Sequence, residues 1–287
     1  ILNTTGSATW ANDNKTLFYS MKDEVTLRSH KIFKHKLYSD SKTDIEVFHE
    51  TDETFNTFVY KSKSKKYLII GSSSTLSSEY RFLDADVPDG RFKIFQERTK
   101  KLEYSIAHYN GSFYIISNKD DATNFKISKT SEKTTGKENW QDVIPHRASV
   151  LIEDIEIFKD YLVVNEREHG LNKLRIISWN KKEDYYLPFN SETYTTYIGN
   201  NPDFESDMLR YGYNSLTSPS SVIDYNLKTK QSEIKKELEV LGGTFKKENY
   251  ESQRIWATAS DGVKIPISLV YKKGMALDGS NPLLQYA

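Results

Sequence analysis

The chain of 287 residues carries 40 Lys+Arg against 40 Asp+Glu, so no overall field draws it toward nucleic acid or an anionic membrane. It has no cysteine, which excludes disulfides, thiol nucleophiles and cysteine metal sites. No apolar run approaches the roughly 18 to 20 residues that cross a bilayer.

Hydrophobic residues are lean at 37%, but 19 Tyr and 14 Phe suit antiparallel sheets, where aromatic side chains pack across strands. The start, Ile1-Leu2-Asn3-Thr4, lacks an initiator Met and the basic-then-apolar order of a signal peptide. With the abrupt end at Gln285-Tyr286-Ala287, the expectation is a piece of a longer protein.

A short apolar-aromatic run recurs five times along the chain: Leu17-Phe18-Tyr19, Tyr67-Leu68-Ile69-Ile70, Phe113-Tyr114-Ile115-Ile116, Tyr161-Leu162-Val163-Val164 and Leu209-Arg210-Tyr211-Gly212-Tyr213. The steps are 50, 46, 48 and 48 residues. A period in this range, built from short strands without intervening helices, predicts β-propeller blades. Each run opens its repeat and is followed by a strand of alternating character: residues 30–37, 79–84, 124–128, 173–179 and 221–227. A continuous apolar run fits an inner strand covered on both faces, and alternation fits an outer strand facing water. Turn residues stand between the strands at Asn12-Asp13-Asn14, Asp89-Gly90, Asn110-Gly111 and Lys119-Asp120-Asp121.

The pattern changes after about residue 240, where Leu241-Gly242-Gly243 breaks the chain. Residues 254–271 then read as two apolar strands around a Ser260-Asp261-Gly262 turn, with Pro266 arguing for an edge or a strand end. No sixth blade fits in what remains, so this hairpin opens something else.

Chemistry is harder to find. No Gly-x-Ser-x-Gly elbow and no phosphate-cradling glycine loop occurs. Ser72-Ser73-Ser74 and the serines at 218, 220 and 221 read as polar turn residues. Of six histidines, His30 and His35 are five apart, which on a strand puts them on opposite faces and disfavours shared metal ligation. Asp84, Asp86, Asp120 and Asp121 lack the ligand order of a calcium loop. The lysines over 61–66 and 126–137 read as a solvated blade edge, since no aromatic recognition signature accompanies them. Glu166, Arg167, Glu168 and His169 form a dense charged cluster after an inner strand; they are a salt-bridged loop or candidates for an interface or gating contact.

Several segments carry a resemblance: Thr9-Trp10-Ala11-Asn12-Asp13, Ser78-Glu79-Tyr80-Arg81-Phe82-Leu83-Asp84, Tyr104-Ser105-Ile106-Ala107-His108-Tyr109, Val164-Asn165-Glu166-Arg167-Glu168-His169-Gly170, Leu209 through Pro219, Asp261 through Tyr271, and Gly279-Ser280-Asn281-Pro282-Leu283-Leu284. In order from about residue 8 to 286, the chain resembles the oligopeptidase B branch of the prolyl oligopeptidase family of serine peptidases. The resemblance implies a seven-bladed propeller that gates an α/β-hydrolase domain with a Ser-Asp-His triad, cleaving short peptides after Arg or Lys. In that family the triad follows the propeller, after a Tyr-Gly-rich turn, so no catalytic residue transfers to this chain.

The reading is therefore all-β: about five of an expected seven four-stranded antiparallel blades over 1–240, the gating domain, then a linker and the opening β-hairpin of a truncated α/β-hydrolase domain over 241–287. No cofactor and no metal is expected. Expected partners are short basic peptides for the parent and the hydrolase domain in cis, not nucleic acid or membrane, and the open blade array is expected to self-associate. The resemblance favours the cytoplasm and leaves the periplasm open. The alternative is a stand-alone propeller acting as a protein- or peptide-binding scaffold; a polysaccharide-active propeller would need paired carboxylates at the tunnel.

Overall fold

A computed structural model describes residues 2–286 of the chain. They fall into two compact units, residues 1–152 with 202–204, and 153–201 with 205–287.

The first unit holds three four-stranded antiparallel meanders. They are β1 (Thr4–Trp10), β2 (Thr16–Lys22), β3 (Ser29–Lys36) and β4 (Ile45–His49); β5 (Asn56–Lys61), β6 (Tyr67–Ser73), β7 (Ser78–Asp84) and β8 (Lys93–Ile94); and β9 (Tyr104–Tyr109), β10 (Ser112–Ser117), β11 (Lys126–Ser131) and β12 (Gln141–Ile144). A fourth meander comprises β13 (Val150–Ile157), in which the division between units falls, β14 (Tyr161–Glu168), β15 (Leu171–Ser178) and β16 (Asp184–Tyr186). The second unit continues with β17 (Tyr194–Ile198), β18 (Met208–Ser215), β19 (Ser221–Asn226) and β20 (Ser232–Glu237), then the two-stranded hairpin β21 (Tyr250–Thr258) and β22 (Lys264–Lys272). Five four-stranded antiparallel sheets, each joined in chain order, are the blades that the repeat predicted.

The recurring apolar runs are the second strand of each blade, not the first. A strand of equal or shorter length precedes each of them, and in two of the runs both faces are covered: β6 and β14 each open with six consecutive buried residues. The following strands were expected to alternate. Only β15 does so cleanly, while β7 is buried on both faces like its neighbour. Turn chemistry holds where it was expected: Asn110 and Gly111 take φ of 45° and 73°, the paired left-handed geometry that closes a two-residue hairpin between β9 and β10.

In the first unit a core of Tyr67, Phe82, Phe95, Phe113 and Trp140 forms between the second and third blades. The Phe113 ring lies 5.3 Å from Tyr67, 5.3 Å from Phe82 and 5.0 Å from Phe95. Burying each such ring contributes about 1.5 to 3 kcal/mol. The second unit has its own core, with Phe158, Val163, Leu174, Leu209 and Tyr225 fully or nearly fully buried.

Two blades share a packing device. Phe58 pairs across from Gly71, and Tyr197 across from Gly212. In both, a Cβ on the glycine would collide with the facing aromatic ring, so the ring lies flat over the backbone. The threonine before each aromatic, Thr57 or Thr196, donates its hydroxyl to the carbonyl of the same glycine at 2.9 Å.

Candidate functional site

The charged cluster sits at the end of β14, with Glu166, Arg167 and Glu168 inside the strand rather than in the loop after it. Glu166 is completely buried: the Tyr186 hydroxyl donates to its Oε2 at 2.6 Å and Arg175 lies 3.5 Å from Oε1. Arg175 also forks onto Asp184 at 2.7 and 2.6 Å. That bond, acting against burial, holds its guanidinium pKa above the ordinary value. Arg167 donates to Glu153 Oε1 at 2.7 Å, and the amides of Asn165 and Asn172 donate to Glu153 Oε2 at 3.1 and 2.6 Å. Glu168 pairs with Lys173. These three charges are thus answered within their own sheet.

His169 differs. With Gly170 it forms the turn into β15, φ 50° and 77°, and both its carbonyl and its ring face the terminal hairpin. The carbonyl accepts a hydrogen bond from the Arg254 guanidinium, and the ring meets Trp256 edge-on at 6.2 Å. The Arg254 main-chain N–H donates to Glu192 Oε2 at 3.3 Å.

Beside this junction lies a cleft of about 590 Å³. Its walls are Gly170 and Leu171, the start of β17 with Thr193 and Tyr194, the loop between β18 and β19 with Ser215, Leu216 and Ser218, the chain after β20 with Leu238 and Val240, and Arg254 and Ser268 of the hairpin. Burial pushes the Tyr194 hydroxyl pKa up, with Tyr213 adding to the push and the Arg254 charge opposing it. The hairpin leaves Ile255, Trp256, Ile265, Ile267 and Val270 exposed. Pro266 pairs with Trp256 in a two-stranded sheet whose strands both have a free edge, as proline requires.

Elsewhere the polar clusters read as struts. Ser64 Oγ and His108 Nδ1 lie 2.8 Å apart, and His108 Nε2 is 3.2 Å from Glu132 Oε2. Lys66 and the Tyr67 hydroxyl also bind Glu132, at 2.7 and 3.0 Å. The order Ser-His-Glu is that of a hydrolase relay. Here, however, the imidazole is buried against Tyr67 and Phe113, at 4.9 and 5.1 Å, and braces the second blade against the third. Desolvation lowers the His108 pKa, with Glu132 opposing.

Two sequence readings need correcting. Ser72 and Ser73 lie within β6, Ser72 fully buried, rather than in a turn. Lys126 is buried between Asp120 and Asp142, at 3.0 and 3.1 Å, because paired carboxylates replace its water. Thr193 and Arg254 were not singled out by sequence reasoning. They are distant in the chain, and no local motif signals that they share a cleft.

The family described as "Prolyl oligopeptidase, N-terminal beta-propeller domain" matches residues 1–238. The dipeptidyl aminopeptidase BI of Pseudoxanthomonas mexicana is 36% identical over all of this chain and 39% of its own length. Protease 2 of Moraxella lacunata is 27% identical, over 98% of this chain and 40% of its own. Among solved structures, oligopeptidase B from Trypanosoma brucei, in a closed form with covalently bound antipain, superimposes with a TM-score of 0.89 at 27% identity, over 98% of this chain and 41% of that one. The chain thus spans about two fifths of the length of these relatives.

Proposed function

Because the chain belongs to the prolyl oligopeptidase family, matching its N-terminal propeller domain over 1–238, we propose that it is the gating portion of a serine oligopeptidase that cleaves short peptides after Arg or Lys. In this proposal residues 1–240 restrict access to an active site, and 241–287 begin the α/β-hydrolase domain. The observation that carries it is the terminal hairpin. Ile255, Trp256, Ile265 and Ile267 point apolar surface at solvent, and a hydrolase sheet continuing from β22 would cover it. Glu166, Arg167, Glu168 and His169 lie beside that junction, and the His169 turn, which already contacts Arg254 and Trp256 of the hairpin, is the member proposed to take part in gating.

The parent would work by acylation of a Ser, with a His as general base. The chain by itself is proposed to hydrolyse no peptide, since the family's triad lies C-terminal to the propeller, and to self-associate through its uncovered blade and hairpin surfaces. A second reading of specificity rests on the 36% identical relative, named as a dipeptidyl aminopeptidase: the parent would then release dipeptides from free N-termini.

The test is to read the coding region downstream of residue 287 and assay its product. A Gly-x-Ser-x-Gly followed by Asp and then His, with faster cleavage of an N-blocked Arg-Arg anilide than of an unblocked dipeptide anilide, is the expected result. The reverse preference would select the dipeptidase reading, and a stop codon soon after residue 287 would remove the peptidase altogether.

A further inference from the structure

The terminal hairpin is two-faced. Its register sets Ile255 opposite Ile267 and Ala257 opposite Ile265, which gives one face its apolar side chains, while Arg254 opposite Ser268 and Trp256 opposite Pro266 share the other. The second face is the one that meets the fourth blade. There the Arg254 guanidinium donates to the His169 carbonyl and lies 5.4 Å from the centre of the Trp256 ring, which in turn meets the His169 imidazole edge-on at 6.2 Å. The turn is shaped for this approach. Gly170 has φ of 77°, and a Cβ on it would stand 3.0 Å from Arg254 Nη2 and 3.9 Å from Pro266 Cγ. Glycine serves both the left-handed turn and the close guanidinium.

The chain leading to the hairpin gives it little support. Residues 238–249 are exposed at every position and include Gly242, at φ 77°, and Gly243. Such a segment can absorb a large change in backbone angles, as hinges do. The Glu192 carboxylate takes the Arg254 main-chain N–H at 3.3 Å, a second anchor on the same residue. Arg254 is therefore where the seating of the hairpin converges. Its bond suits a reversible contact: a charged donor on a neutral carbonyl holds more firmly than a neutral hydrogen bond and releases more readily than a buried ion pair.

We propose that Arg254 is the catch of the gate. Seated on the His169 turn, it holds the start of the hydrolase domain against the fourth blade, and its release lets that domain move on the 238–249 tether to admit a peptide. Arg254 is a positioning residue that acts through His169. The proposal rests on the gating reading above and names the residue that sets it.

The chain has no cysteine, so the seat can be trapped on a clean background. Gly170→Cys with Pro266→Cys brings two thiols within disulfide reach. Diamide should cross-link them in the 287-residue chain, while Gly170→Cys with Val263→Cys should stay reduced. Adding Arg254→Gln should slow trapping about tenfold, the worth of one charge-assisted hydrogen bond, and Arg254→Lys should recover part of the rate. In the parent, the readout is the rate of cleaving a long peptide relative to an N-blocked Arg-Arg anilide. The oxidised pair should lower that ratio severalfold, reduction should restore it, and Arg254→Gln alone should raise it. No trapping in the chain, trapping at an unchanged rate without Arg254, or a ratio that Arg254→Gln does not move would each overturn the catch. A parent that cleaves neither substrate would overturn the peptidase reading and the gate with it, and the trapping rates in the chain alone would still decide whether Arg254 seats the hairpin.

Discussion

Strand β10 and strand β22 have similar apolar content and opposite fates. In β10, Ser112–Ser117, the five residues after Ser112 are all buried, with Phe113 at the centre of a ring cluster. In β22, Lys264–Lys272, no residue is buried, although Ile265, Ile267, Leu269 and Val270 are no less hydrophobic. The difference is one of neighbours: β10 has a sheet partner on each edge and aromatic rings from β6, β7 and the chain after β8 packed against it, whereas β22 has β21 alone. Apolar sequence states what must be covered; it does not supply the cover. A hairpin of this kind is marginal in isolation, where a four-stranded blade with a packed face is not.

The comparison is broken most directly in the core. Phe113→Ala should destabilise the chain by about 3 to 5 kcal/mol in urea unfolding, because the surrounding rings cannot collapse into the space. A loss below about 1 kcal/mol would mean that the ring cluster does not hold the blades. Gly71→Ala comes next, at about 1 to 3 kcal/mol, since its methyl would collide with the rings of Phe58 and Tyr80. Gly212→Ala should cost less, as Tyr197 is 54% exposed and can swing away. Equal costs at the two glycines would show that ring burial is not what sets the penalty.

Acid sharpens the contrast further. His108 has a native pKa lowered below its ordinary 6.5 by desolvation. The unfolded chain therefore takes up a proton that the folded chain resists, and stability falls as pH drops below 6.5, levelling off below the lowered native value. Thermal melts of His108→Gln should lose that slope; an unchanged slope would place the acid sensitivity elsewhere. The smallest effect is expected on the hairpin, where Ile265→Ser in this chain should stay within about 0.5 kcal/mol.

The blades were legible because β6, β10 and β14 are uninterrupted apolar runs at a regular spacing and because Asn110-Gly111 closes a turn in only one way. Their first and fourth strands were not. β8 is two residues long, too short for any periodicity, and β9, Tyr-Ser-Ile-Ala-His-Tyr, buries a polar residue, His108, through its tertiary partners Ser64 and Glu132. The charged cluster was visible as composition, but its neutralisation by Glu153, Lys173, Arg175 and Tyr186 depends on strand register. The cleft was invisible, since Gly170, Thr193, Leu216 and Arg254 are far apart in the chain and meet only once it has folded.

Hydrogen exchange by mass spectrometry on this chain and on the longer parent proposed for it tests the central claim. Amides of β10 and β14 should be strongly protected in both, while those of β21 and β22 should exchange rapidly in the chain alone and become protected in the parent. A hairpin as slowly exchanging as the blades in the isolated chain, or one that gains no protection in the parent, would contradict the view that it is the uncovered edge of a hydrolase domain.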